Sequence, residues 1–265
     1  MREVSSEEAR KIMLDILKDV ASFCDSNNLV YFLSSGTLIG AIRHKGFIPW
    51  DDDIDIEMPR PDYERFIELY SQKGNYKILS PKEKKSFFFY TKVYDNQTVK
   101  KENVINHKDY KPIGIDIDVF PIDGQPDENH FEQFKKDTNH RVKLFSLYLL
   151  SVKPITKESF KLFILSTLSH IFGPHYFLRK YMISALKYDY DKASMVGFIS
   201  PYSKYKNRHK KAVFEKSVKV PFEDAEFCAP IGYDEYLTNI YGDYMTPPPV
   251  DKRASTHDAE YYWKD

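Results

Sequence analysis

Four aspartates stand within five positions in "HKGFIPWDDDIDIEMPRP", residues 44–61, directly after a Pro-Trp pair and among apolar residues. Crowded carboxylates repel one another, and each loses solvation when its segment is buried. A fold that keeps Asp51, Asp52, Asp53 and Asp55 together either solvates them on an open face or neutralises them with a multivalent cation. Ile54 and Ile56 interleave with the acids as core-facing strand residues would, which disfavours the open face. With a strand beginning near Asp51, period-two alternation turns Asp51, Asp53 and Asp55 to one side and Asp52 to the other. A calcium loop is excluded, because Ile56 and Asp62 occupy the positions where it needs Gly and Glu.

A second acidic strand, "IDIDV" at 115–119, offers Asp118 or Asp116 from a neighbouring position. Hard oxygen donors suit Mg²⁺ or Mn²⁺, and carboxylates from two adjacent strands are what a metal-assisted phosphoryl-transfer site needs. Upstream, Ser35-Gly36-Thr37 follows an apolar strand and opens a helix. Backbone N–H groups there, with the Thr37 hydroxyl, are expected to cradle a phosphate. Arg43, His44 and Lys45 lie between this turn and the acids; Arg43 is the expected diphosphate contact, with a surface ion pair as its alternative. Lys92, in "FYTKVYD", is expected either to reach the same phosphates or to be an ordinary edge-strand lysine.

The rest of the chain supplies the scaffold. At 265 residues it can bury a substantial core, and with 39 basic and 39 acidic residues no global field favours nucleic acid. Ser5-Ser6-Glu7-Glu8 has the form of a capping box, predicting a helix whose Ile12, Met13, Ile16, Leu17, Val20, Phe23 and Cys24 face inward. Strands are predicted at 29–33, 54–58, "YKIL", "FFFYTKVY" and 113–120, with "PIDGQPDENH" as a turn-rich break. Residues 127–191 read as mostly helical, interrupted at Pro154; a hairpin, a helix and a Pro-rich tail follow. The expected class is α+β: a mixed-sheet core over 1–126, a helical insertion over 127–191, and a C-terminal part over 192–265 that completes the site.

Cys24 and Cys228 sit in apolar patterns, as buried thiols of a reduced compartment do. The charged N-terminus shows no signal-peptide core, and the longest apolar region, 161–178, is broken by His170 and Gly173-Pro174. The expectation is a cytoplasmic protein. For Phe145, Leu147, Tyr148, Leu149, Leu150 and "KLFILSTL", core packing is expected, with peripheral contact at the inner membrane surface as the alternative.

"GTLIGAIRHKGFIPWDDDIDIEMPR" resembles the signature of the LicD family, and "IDVFPIDG" and "GYDEYLTNIYGDYMTPPPVDKRASTH" are similar to its second and C-terminal motifs. The resemblance implies a nucleotidyltransferase-like fold and dependence on Mg²⁺ or Mn²⁺. It implies transfer of phosphocholine from CDP-choline to a hydroxyl of a cell-surface glycan, a lipopolysaccharide or teichoic acid precursor or a lipid-linked form of one, with release of CMP. Asp51, Asp53, Asp55 and Asp118 would carry the metal, with Asp53, Asp55 and Asp118 catalytic. Asp116 is an extra acid where the family pattern often has an apolar residue. Arg253 and His257 match the closing Arg and His, which would contact nucleotide or acceptor. CDP-ribitol or CDP-glycerol as donor, or a D-x-D nucleotide-sugar glycosyltransferase, are the alternatives.

Overall fold

The computed structural model describes residues 1–70, 74–101, 105, 107–156, 158–201, 205–253 and 260–265, which form a mixed α/β structure. The first helix, α1 (Ser6–Ser26), has the expected capping box: Glu8 N–H donates to Ser5 Oγ at 3.2 Å and Ser5 N–H to the Glu8 carboxylate at 3.0 Å. It buries Met13, Ile16, Leu17, Val20 and Cys24 and ends at Asn27. Next come β1 (Phe32–Leu33), α2 (Ser35–Ile39), β2 (Asp55–Pro59) and α3 (Arg60–Leu69). They are followed by β3 (Tyr76–Leu79), β4 (Thr91–Asp95), β5 (Thr98–Lys101) and β6 (Asp116–Gln125). The helical block is α4 (Phe131–Val152), α5 (Phe160–Phe172) and α6 (Pro174–Ala185). The chain closes with β7 (Met195–Phe198), β8 (His209–Lys210), the hairpin β9 (Ser217–Phe222) and β10 (Ala225–Pro230), α7 (Tyr233–Tyr241) and β11 (Glu260–Trp263).

Seven strands form the main sheet in the order β1-β2-β6-β4-β3, with β7 also on β6 and β8 on β7. Only β2 and β6 run parallel among these pairs. β6 is longer than the sequence suggests: it continues through "PIDGQ" to Gln125, where a turn is expected. The proline is tolerated because of where it falls. Asp118 N–H donates to Ile54 on the β2 side at 2.9 Å, so by alternation the position of Pro121 faces the opposite edge. On that edge β4 has stopped pairing at Val119 and β7 begins only at Ile122. No ladder bond is lost there. The tail also differs from expectation, since β11 pairs antiparallel with β5 as a separate ribbon.

The main core gathers α1, α3 and the sheet interior, including Ile16, Phe66, Ile56 and Val119. A second apolar cluster joins the helical block to the segment before β4 through Phe87, Phe89, Phe145, Tyr148 and Tyr181. Phe145 and Tyr148 of α4 are thus buried in protein, as the core-packing reading expects, whereas Phe163, Ile164 and Leu168 of "KLFILSTL" are exposed and depart from it. Among the described residues no helix is long and apolar enough to cross a membrane.

One buried ion pair ties the β2–α3 corner to β6. Arg60 donates from Nε to Asp123 Oδ1 at 2.7 Å and from Nη2 to Oδ2 at 2.9 Å, and from Nη1 to Glu64 at 2.9 Å. Asp123 lies an odd number of residues from Asp118, so it serves the opposite sheet face, and the acid of "PIDG" is structural. Breaking such a pair strands a buried charge, so Arg60→Ala is expected to cost about 3–5 kcal/mol in urea unfolding. A loss below about 1 kcal/mol would contradict this account.

His209 on β8 is 1% exposed, lies against Tyr236 with ring centroids 4.9 Å apart, and is held neutral by burial, its pKa pushed down to about 4. Its ordinary value is 6.5, so below that pH the unfolded chain takes up a proton that the folded chain refuses. Stability therefore falls as pH drops from 6.5 towards 4, by about 3 kcal/mol at full effect. His209→Phe is expected to flatten that part of the pH–stability curve, measured by urea unfolding; an unchanged slope would assign it to other groups.

Candidate active site

The pairing register builds the centre of the site. Asp55 of β2 stands opposite Asp118 of β6, and Asp118 stands opposite Lys92 of β4. Residues in register share a face, so two carboxylates and one ammonium form a row across three adjacent strands. Asp116, two residues before Asp118, joins the same face. Lys92 is buried and donates to both Asp116 and Asp118 at 2.5 Å, and its ammonium also lies 4.9 Å from the Phe88 ring and 5.3 Å from Tyr90. Lys100 of β5 adds a second cation 3.7 Å from Asp116.

These positions set the titration of the row. Burial disfavours charge on Asp116, but Lys92 and Lys100 outweigh it and hold its carboxyl below the usual range. Asp118 is pushed up to about 6 by burial and by Asp116, with Lys92 opposing. Asp55 is raised well above the ordinary carboxylate value by burial first and then by Asp53, Asp118 and Asp51. Lys92 itself stays firmly protonated because its two carboxylates outweigh its desolvation.

The loop before β2 brings the other acids to this row. Carboxylate oxygens of Asp51, Asp52 and Asp53 all lie within 4.8 Å of one another. This corrects the alternation that turned Asp52 aside: β2 begins only at Asp55, and residues 51–54 do not follow strand geometry. The loop is latched to α1 by Arg10, whose Nη2 donates to the carbonyls of Pro49 and Asp51, both at 2.8 Å. A cluster of hard oxygen donors, none of them fully exposed, fits a divalent cation of the Mg²⁺ or Mn²⁺ type.

The Gly-Thr turn has a structural use that its sequence does not reveal. A Cβ at Gly36 would lie 2.4 Å from Asp51 Oδ2, so the missing side chain is what lets the acidic loop approach α2. Thr37 is buried, and its Oγ1 accepts from the Asp55 N–H at 2.8 Å. Its oxygen therefore fixes the first residue of β2, as an acceptor, a role separate from the expected donation to a phosphate. Neither role is visible in a linear motif, because both partners come from the acidic run about one strand later.

The chain ends of the motif converge on Trp50. The Arg253 guanidinium stands 4.9 Å over the Trp50 ring, and the His44 ring centroid is 6.1 Å from it. Arg43 Nη1 donates to the Tyr244 carbonyl at 2.5 Å and Nε to His44 Nδ1 at 3.3 Å. Burial, and next the nearby Arg253, lower the pKa of Arg43; burial and Arg43 do the same to His44. Cations from opposite ends of the chain thus crowd together one residue from the acids. Lys45 does not join them: it ends the helical turn at φ 62, with its ammonium on the Ile42 carbonyl at 3.0 Å. His257 lies outside the described residues.

Sequence reasoning passed over Glu57, on the same face as Asp55 and two residues on. It is buried and accepts from Ser34 Oγ at 2.8 Å and from Tyr236 OH at 2.9 Å, and burial, partly offset by these bonds, pushes its pKa up to about 7. Its place in "DIDIE" was a usable signal, since period two puts it with Asp55. Beside it opens a cleft of about 680 Å³ with Asp55 and Ser35 at its base and Phe120, Phe198, Tyr205 and Tyr241 among its lining residues.

An acidic cluster suited to a divalent cation beside a buried, lysine-balanced strand row is compatible with phosphoryl-transfer chemistry. The family described as "LicD/FKTN/FKRP, nucleotidyltransferase domain" matches residues 28–166, more than half of the chain. The chain is 31% identical to the lipopolysaccharide cholinephosphotransferase LicD of Haemophilus influenzae, across 99% of both proteins. A 65-residue stretch is 44% identical to an uncharacterised protein of Rickettsia prowazekii, covering 23% of this chain and 24% of that one. Over 117 residues it is 26% identical to mannosyltransferase regulator 4 of Saccharomyces cerevisiae, covering 43% of this chain and 10% of that one. The chain belongs to the LicD family and is a transferase.

Gly36→Ala tests how closely the acids depend on that turn. It is expected to keep the melting temperature within about 4 °C of wild type while transferase activity falls about 10²-fold, because the Asp51 carboxylate must shift. Undiminished activity would show that the approach of Asp51 to α2 is dispensable.

Proposed function

We propose that the chain transfers phosphocholine from CDP-choline to a hydroxyl of a bacterial cell-surface glycan, releasing CMP, on a nucleotidyltransferase-like core. The observation that carries this reading is the row Asp55–Asp118–Lys92 beside the Asp51–Asp53 cluster. The relative aligned over nearly its whole length, the Haemophilus influenzae protein, carries the name of a lipopolysaccharide cholinephosphotransferase, which supports choline over other CDP-linked alcohols.

Asp51, Asp53, Asp55 and Asp118 would hold Mg²⁺ or Mn²⁺, with Asp52 close enough to share the cluster. A bound divalent cation neutralises the crowded carboxylates and the substrate's phosphate oxygens. The acceptor hydroxyl oxygen forms a new bond to the choline-bearing phosphorus as the bond to the CMP oxygen breaks. Asp118 or a neighbouring carboxylate of the cluster would receive the hydroxyl proton. Arg43, bonded to His44, and Arg253, over the Trp50 ring, would receive the phosphate charge of departing CMP. The cleft lined by Phe120, Phe198, Tyr205 and Tyr241 would receive the quaternary ammonium, which aromatic surfaces attract.

CMP release from CDP-choline, CDP-ribitol and CDP-glycerol, with a glycan acceptor and with Mg²⁺ or EDTA, tests the reading. The expected result is Mg²⁺-dependent release from CDP-choline that drops at least about 10³-fold in Asp53→Asn and Asp55→Asn. Full turnover in either variant, or turnover undisturbed by EDTA, would overturn it, and preference for another donor would reassign the substrate.

A further inference from the structure

Helix α5 is built inside out. Its buried residues are Ser166 and Ser169, both 0% exposed, and neither hydroxyl has a hydrogen-bond partner among the described residues. Its outward side carries Phe160 (80% exposed), Phe163, Ile164, Leu168, Ile171 (73%) and Phe172 (57%). Spacings of three, four and seven place these on one helical stripe. A water-facing helix arranged this way exposes its largest apolar groups and buries polar ones, which is unfavourable on both sides. Small residues inward and large apolar residues outward is the arrangement of a helix that packs on protein with one side and meets lipid with the other.

The face continues onto α6. Phe172 and Tyr176 stack across the Gly173-Pro174 turn with ring centroids 5.0 Å apart. Tyr176, Ile183 and Leu186 are exposed farther along α6, interleaved with exposed Arg179 and Lys180. Charge decides what covers the face. From Ser159 to Tyr188 the sequence holds no Asp or Glu, and Lys161, Arg179 and Lys180 are exposed cations, while Lys187 is held by Asp137 of α4 at 2.8 Å. In a chain of zero net charge, this is a local block of one sign. A hydrophobic stripe flanked by Lys161, Arg179 and Lys180 complements an acidic lipid surface. At 13 residues α5 is about 20 Å long, too short for a hydrocarbon core of about 30 Å, so it lies in the interface and does not span.

We propose that α5 and the exposed side of α6 dock this chain on a bilayer surface containing anionic lipid, with the α5 stripe entering the headgroup–acyl boundary. The proposal goes beyond the transfer reaction and would hold for any donor or acceptor. It also narrows the membrane contact considered from sequence to its "KLFILSTL" part: the α4 residues Phe145 and Tyr148 are core, and α5 faces out.

Co-sedimentation with phosphatidylglycerol–phosphatidylcholine vesicles and with pure phosphatidylcholine vesicles tests it without any turnover. The full chain is expected to bind the anionic vesicles at least about tenfold more strongly, with the difference reduced in high salt. Phe160→Glu with Ile171→Glu should weaken binding about tenfold or more. Arg179→Gln with Lys180→Gln, which leaves the apolar stripe intact, should weaken binding to anionic vesicles alone, and it keeps the test usable should the first variant misfold. Equal, weak sedimentation with both vesicle types would overturn the proposal. So would a stable dimer by analytical ultracentrifugation that the Phe160/Ile171 variant converts to monomer, since the covering surface would then be a second copy.

Discussion

A single ammonium group makes the centre of this protein possible. Asp116 and Asp118 lie on one face of a central strand with Asp55 in register beside them, and three carboxylates in that space could not stay ionised unaided. Lys92, placed opposite Asp118 by the β4–β6 register, bonds both β6 acids and is itself held charged by them. It settles the two sides of the row differently. Asp116, with two lysines nearby, is the anionic end, while Asp118 and Asp55 retain high proton affinity. Asp55, the acid of the row that Lys92 does not bond, is the one adjoining the Asp51–Asp53 loop, whose charges raise its proton affinity further.

The surrounding structure keeps that loop against the row. Arg10 holds its backbone from α1, Gly36 leaves room for the Asp51 carboxylate, and the Thr37 hydroxyl pins the start of β2. These contacts explain why the acidic motif is long and why a glycine and a threonine precede it by about one strand. The turn at Ser35–Thr37 is the seat of the acids, and the Gly36 backbone approaches a carboxylate. The cations around Trp50 place the opposite polarity close to the acidic loop.

Much of this was legible in sequence where the signal is local. The capping box at Ser5 and Glu8, the inward stripe of α1, the C-terminal hairpin and the pairing of two acidic strands follow from short-range periodicity and side-chain chemistry. What depends on a partner far along the chain was not legible. Asp52 joins Asp51 and Asp53 because the strand starts at Asp55, which is a matter of how the loop is anchored by Arg10 and not of alternation. The strand through Pro121 survives only because two different neighbours leave a gap on one edge. Lys92 could be read as a phosphate ligand until the β4 register placed it under two acids. The outward face of α5 was hidden for a related reason, since an apolar run gives no direction until its packing partner is known.

The account rests on the acid row and its adjoining loop forming one cation site. Diffraction at an energy sensitive to manganese, from crystals grown with Mn²⁺ and CDP-choline, tests this most directly. The account predicts an anomalous peak about 2–2.5 Å from carboxylate oxygens of Asp53 and Asp55, with Lys92 still bonded to Asp116. A structure with CDP-choline bound and no manganese at these aspartates, or with manganese bound only elsewhere, would contradict it.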